Sequence, residues 1–128
     1  MITSNLIPII ALIAALQAKH FICDGPLQTK AMVLSKSNYG QAQGLLHSLL
    51  HGIGTFVVLA LMGFSLKLWL GLAVLDFVVH YHIDFIKENL IKRAGLTTSD
   101  AKFWWALSAD QTLHQFTYLI LAFIALTA

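Results

Sequence analysis

The chain has 128 residues, about one domain's length, but 58% of them are hydrophobic, only 11% are charged, and the mean hydropathy is +0.75. That balance lies outside the usual soluble range and marks an integral membrane protein. A net charge of +2, with Lys and Arg gathered in short connections, argues against a nucleic-acid surface, and the single cysteine, Cys23, excludes an internal disulfide framework or a Cys-rich zinc ribbon.

The first apolar stretch, about residues 5–23, approaches the roughly 20 residues needed to cross about 30 Å of hydrocarbon. Its opening "MITSN" lacks the basic start of a signal peptide, so the segment reads as a mature helix. Cys23 reads as a small buried residue near its end. In "DGPLQTKAMVLSKSNYGQAQ", Asp24 or Gly25 can cap and Pro26 can start a short helix. Leu27, Ala31 and Leu34 would give that helix an apolar stripe suited to the membrane surface.

A second span covers about 44–65, and "GFSLK" is so short a connection that it forces an antiparallel hairpin with a third span at 68–87. Gly44, Gly52, Gly54, Gly63 and Gly71 read as sites of close helix packing. Gly95 suits a helix C-terminus, and "TTSD" supplies N-cap residues for a fourth span at 103–127. Trp104 and Trp105 fit an interfacial belt at its start. The predicted fold is all-α and undivided: a four-helix transmembrane bundle with a short interfacial helix in the first connection.

Lys30 and Lys36 lie in the first connection and Lys92, Arg93 and Lys102 in the third, with Lys19 and Lys87 near the adjoining helix ends. The opposite side has Lys67 alone. By the positive-inside rule both termini then lie outside the cytoplasm.

Each span carries ionisable residues at i, i+4, the spacing that stacks side chains on one helix face. These are His20 and Asp24; His47 and His51; Asp76, His80 and Asp84; and Asp110 and His114. At about 1.5 Å per residue, His47 and His51 enter span two from the cytoplasmic side by roughly 6 and 12 Å, and Asp110 and His114 enter span four by roughly 9 and 15 Å. Running the other way, Asp84, His80 and Asp76 lie roughly 5, 11 and 17 Å in, while His20 and Asp24 stand near the exit of span one. A single such pair is ordinarily glue between helices. Four at one depth are better explained by function, because intramembrane charge is costly.

Imidazoles and carboxylates are the ligands of Zn²⁺, Fe²⁺ or Mn²⁺, with Zn²⁺ favoured here. All nine residues are candidate ligands, more than one tetrahedral shell requires. Either two ions or one ion with an acidic outer shell would use them. His82 lies about 200° around its helix from the stripe and should miss the site. Lys87 either pairs with Asp84 or snorkels to the interface. Gln28 and Gln111 either bond to the site or act as polar glue.

The segments "HFICDGPLQT", "LLHSLLHG", "HYHIDFIK" and "DQTLHQ", in this order, resemble small bacterial and phage membrane proteins grouped as domain of unknown function 3307, over nearly the full length. The resemblance implies that His20, Asp24, Gln28, His47, His51, His80, Asp84, Lys87, Asp110, Gln111 and His114 belong to the family pattern. It also implies a location in the bacterial cytoplasmic membrane. It implies no established reaction, and Asp76 rests on helical phase alone.

The expected function is that of a metal-dependent hydrolase acting on a lipid or lipid-linked substrate near the cytoplasmic interface, with Asp84 or Asp110 as proton acceptor. Absence of a G-x-S-x-G motif favours water as the attacker. A looser likeness to small membrane proteins described as metal-dependent hydrolases is analogy. Two alternatives stand beside it: an accessory subunit whose bundle is stapled by metal, and a proton or divalent-ion transport component. A monomer, a homo-oligomer and a larger membrane complex are all compatible with the sequence.

Overall fold

The computed structural model describes residues 2–128, with side chains from Leu6 onward, so the reading of "MITSN" at Met1 and at the next four side chains lies outside the described residues. Five helices follow in order: α1 (Ile2–Asp24), α2 (Lys30–Ser35), α3 (Ala42–Leu61), α4 (Leu66–Arg93) and α5 (Ala101–Thr127). No strand occurs among the described residues. The four long helices close a ring in which α1 packs on α3, α3 on α4, α4 on α5 and α5 back on α1, while α2 rests against α3.

The turns explain where the helices stop. Gly63, with φ +80°, takes the left-handed conformation that ends α3. The backbone N–H of Phe64 then reaches Leu59 O at 3.1 Å and that of Gly63 reaches Ala60 O at 3.1 Å. Four residues separate α3 from α4, which gives the expected hairpin. Gly95, with φ +61°, ends α4 in the same way. Asp100 is the N-cap of α5, but its Oδ2 accepts from Thr97 N and Thr97 Oγ1 at 2.8 and 2.9 Å. Those bonds, the backbone one first, hold its carboxyl below the usual range.

Two sequence readings are corrected here. α2 does not start at Asp24–Pro26, because α1 continues through Asp24 and unwinds only as Gly25 N and Leu27 N bond back to Phe21 O and Ile22 O. The cap falls instead to Thr29, whose Oγ1 accepts from Met32 N at 3.2 Å. Leu27, Ala31 and Leu34 are nonetheless exposed, as a surface-lying stripe requires. Gly71 and Gly63 are not packing glycines: a Cβ at either would meet nothing within 4 Å. Gly52 is, since a Cβ there would lie 2.9 Å from Ala73 O and 3.2 Å from Phe77 Cβ on α4.

Three stretches are long and apolar enough to cross a membrane, Leu6–Asp24, Ala42–Leu61 and Leu66–Arg93. α5 falls short because Asp110, Gln111, His114 and Gln115 crowd its first half. At one end of the ring Leu12, Leu16, Leu59, Leu72, Tyr118 and Leu121 form a buried core. Outside, Ile7, Phe21, Leu61, Val74 and Phe123 are exposed. An apolar exterior of that extent suits lipid rather than water.

Candidate metal centre

Helical phase turns one stripe of each long helix into the ring, and the stripes meet in the half nearest α2. His47 and His51 from α3, His80 and Asp84 from α4 and His114 from α5 are all buried, and Asp24 at the end of α1 is half-buried. Asp24 Oδ1 lies 3.2 Å from His47 Nε2, 2.9 Å from His51 Nε2 and 4.0 Å from His80 Nε2. His47 Nε2 and His80 Nε2 are 3.3 Å apart, and Asp84 Oδ2 lies 3.4 Å from the first and 3.3 Å from the second. Asp24, His47, His51 and His80 thus each offer a potential ligand atom within 4.8 Å of the others, and His80, Asp84 and His114 form a second such group.

Asp84 joins the two groups. While its Oδ2 faces His47 and His80, its Oδ1 lies 3.5 Å from His114 Nε2, which is also 3.5 Å from Asp110 Oδ1. The rings of His51, His80 and His114 stack, with centroids 3.5 and 4.1 Å apart. His114 Nε2 and Asp110 Oδ1 are buried without a hydrogen-bond partner. Such orphans are uncommon in native interiors.

Two predicted residues stand at the margin and one stands apart. His20 reaches Asp24 Oδ2 through Nε2 at 3.0 Å, with Gln111 Oε1 also 3.0 Å from that nitrogen, and its Nδ1 lies 2.6 Å from Tyr118 Oη. Asp110 touches the group through His114 and accepts from Gln111 Nε2 at 3.1 Å. Asp76 does not join. It lies one turn deeper on α4, where Lys19 Nζ and Thr55 Oγ1 both reach its Oδ2 at 2.5 Å. His82 is exposed, 3.1 Å from Tyr39 Oη, away from the site as its phase predicts.

The sequence reading missed two lysines. Lys19 and Lys36, which the sequence offers only as charges near helix ends and in a connection, are both buried. Lys19 also donates to His51 O at 3.1 Å and stands 3.4 Å from His51 Nδ1. Lys36, just past α2, forms an ion pair with Asp84, one of the two roles open to Lys87 in the sequence: Nζ to Oδ2 is 2.9 Å, while Lys87 pairs with Glu88. Gln28 links Lys36 to the cluster, since its Oε1 accepts from Lys36 at 2.7 Å and its Nε2 donates to Asp24 O at 2.8 Å. Lys19 lies one residue before His20, outside the i, i+4 pairs. The depth of α1 in the ring, which the sequence alone does not give, turns it inward.

These features define an all-helical chain with an apolar exterior and a buried His/Asp cluster. The chain belongs to the family described as "Protein of unknown function (DUF3307)", whose model matches residues 11–128 and so takes in every residue of the cluster. No curated protein and no solved structure matches it.

Proposed function

We propose that this is a four-span membrane protein that binds a divalent metal ion, Zn²⁺ before Fe²⁺ or Mn²⁺, and hydrolyses a lipid or lipid-linked substrate near the cytoplasmic headgroups. The observation that carries the reading is spacing. A tetrahedral ion with bonds of about 2.0–2.1 Å separates its ligand atoms by roughly 3.3–3.4 Å. Of the distances among Asp24 Oδ1, His47 Nε2, His80 Nε2 and Asp84 Oδ2 given above, four lie between 3.2 and 3.4 Å and one is 4.0 Å. Charge agrees. Asp24, Asp76, Asp84 and Asp110 stand against the amines of Lys19, Lys36 and Lys87, the last lining one pocket with Asp110, so negative charge remains for a dication to offset.

Donor bookkeeping assigns His51 a different part. An ammonium has donors only, so Lys19 at His51 Nδ1 makes that nitrogen an acceptor and leaves the ring proton on Nε2. His51 Nε2 then donates to Asp24 Oδ1 at 2.9 Å and orients this ligand rather than serving as one. His20 does the same for Asp24 Oδ2.

A bound divalent ion supplies an acidified water and a Lewis acid. The chain's own groups accept the proton: Asp110, with His114 between it and Asp84, is the base, and Gln111 holds its carboxylate. For the membrane arrangement, α5 joins the three apolar helices because its polar stripe turns into the ring. Both termini lie outside the cytoplasm, since Lys30, Lys92, Arg93 and Lys102 remain exposed on one side against Lys67 on the other.

A second reading, the structural metal, is favoured by closure: of the six cluster residues only the Asp24 side chain, at 22%, has appreciable exposure. A transport path is disfavoured by the leucine core that seals the other end. The test is hydrolysis of a panel of lipid esters and lipid phosphates by metal-loaded wild type and Asp110→Asn. Turnover in the wild type, lost in the variant with metal retained, supports the enzyme. Tight metal with no turnover on any substrate supports the structural reading.

A further inference from the structure

The Lys36 amine enters the metal reading only as a counter-charge, yet it is buried although it follows a surface helix whose Val33 and Leu34 face outward. Burying an ammonium is costly, and a neutral side chain would fasten α2 without that cost. Its one anionic partner, Asp84 Oδ2 at 2.9 Å, also faces His47 and His80. Its other partner is the neutral Gln28. An ammonium has three donors, so one remains for a further acceptor. Gln28 in turn bonds the backbone carbonyl of Asp24, so Lys36 is tied through Gln28 to the residue at which the cluster is least buried.

We propose that Lys36 binds a phosphoryl oxygen, and hence that the substrate is a phosphate ester; this rests on the hydrolase reading above. A carboxylic ester arrives neutral, and the single charge of its tetrahedral intermediate needs one electrophile. A phosphate ester brings its charge with it, into a site already holding several carboxylates. A fixed cation beside the ligands offsets that repulsion, and lysine serves as a compact point charge for phosphate. In the step, water oxygen bonds to phosphorus and the ester P–O bond breaks. Asp110 takes the water's proton and returns it to the departing alkoxide, which leaves as an alcohol with inorganic phosphate as the other product.

The test compares wild type, Lys36→Met and Lys36→Arg as full-length metal-loaded protein in detergent, reading metal content and the binding of inorganic phosphate by calorimetry. Lys36→Met should keep its metal and bind phosphate about 10–100-fold more weakly, as expected for loss of one charge-assisted hydrogen bond. Lys36→Arg should recover part of that loss. Competition against bound phosphate by phosphatidic acid in mixed micelles and by glycerol phosphate then separates the two sources: the stronger competitor names a lipid headgroup or a soluble ester. Equal phosphate affinity in wild type and Lys36→Met, or no phosphate binding by wild type, overturns the proposal. So does loss of metal from Lys36→Met, which would make Lys36 a positioning residue for Asp84. If wild type carries no metal, the metal reading fails on that result, and the same phosphate comparison still decides the role of Lys36.

Discussion

At the scale of single residues, a group's partner on another helix decides its role. His47 and His51 stand one turn apart on α3 and read alike in sequence, but only His51 has an amine at its second ring nitrogen. His47→Ala should therefore abolish stoichiometric metal. His51→Gln should retain it with affinity lowered about 10–100-fold, the usual cost of losing an orienting hydrogen bond. Metal titration with a competing chelator distinguishes the two, and equal loss in both variants would make His51 a ligand.

Lys19 and Asp76 give a second residue-level prediction. Lys19→Met leaves the Asp76 carboxylate buried with only Thr55, and breaking such a pair costs about 3–5 kcal/mol. Unfolding in a mixed-micelle denaturant series should show that loss. The double variant Lys19→Met with Asp76→Leu should recover most of it, because no charge is then stranded. The i, i+4 pairs made Asp24, His47, His80, Asp84 and His114 legible, since helical phase alone aligns them. Lys19 and Lys36 were not legible, because a lysine near a helix end reads equally well as a topology signal until the neighbouring carboxylate is located.

Among the elements, the α3–α4 hairpin sets how closely the ligand-bearing faces approach. Gly52→Ala places a methyl carbon 2.9 Å from Ala73 O, a backbone atom that moves only if α3 and α4 separate. It should cost about 1–3 kcal/mol, as overpacking does. Gly71→Ala, also within a helix but facing open space, should instead gain about 0.5–1 kcal/mol from helix propensity. Paired unfolding measurements check both signs. Sequence could not separate these two glycines, both in apolar helical runs, because only the hairpin register shows which one meets the partner backbone. Helix count and the short α3–α4 turn were legible from apolar length and from "GFSLK". The start of α2 was not, because Gly25 and Pro26 advertise a helix start while α1 still holds Asp24 in its last turn.

For the molecule as a whole, the polar cluster lies toward one end of an apolar ring and the leucine core toward the other, which suits a protein working at one membrane face. On the proposed orientation, with both termini outside the cytoplasm, Thr98→Cys should react with a membrane-impermeant thiol reagent only after the cells are opened, and Lys67→Cys in intact cells whose outer barrier has been removed. The reverse pattern would invert the orientation. Cys23 is buried and gives a low background.

Four side chains from three helices, Asp24, His47, His80 and Asp84, are proposed to hold an ion, and elemental analysis of the detergent-purified wild type alongside His80→Ala is the decisive experiment. About one divalent ion per chain is expected in the wild type, the number that one set of four ligand atoms holds, and none in His80→Ala. A wild type that remains folded with no stoichiometric metal, after purification without chelators and incubation with Zn²⁺, Fe²⁺ and Mn²⁺ in turn, would contradict it.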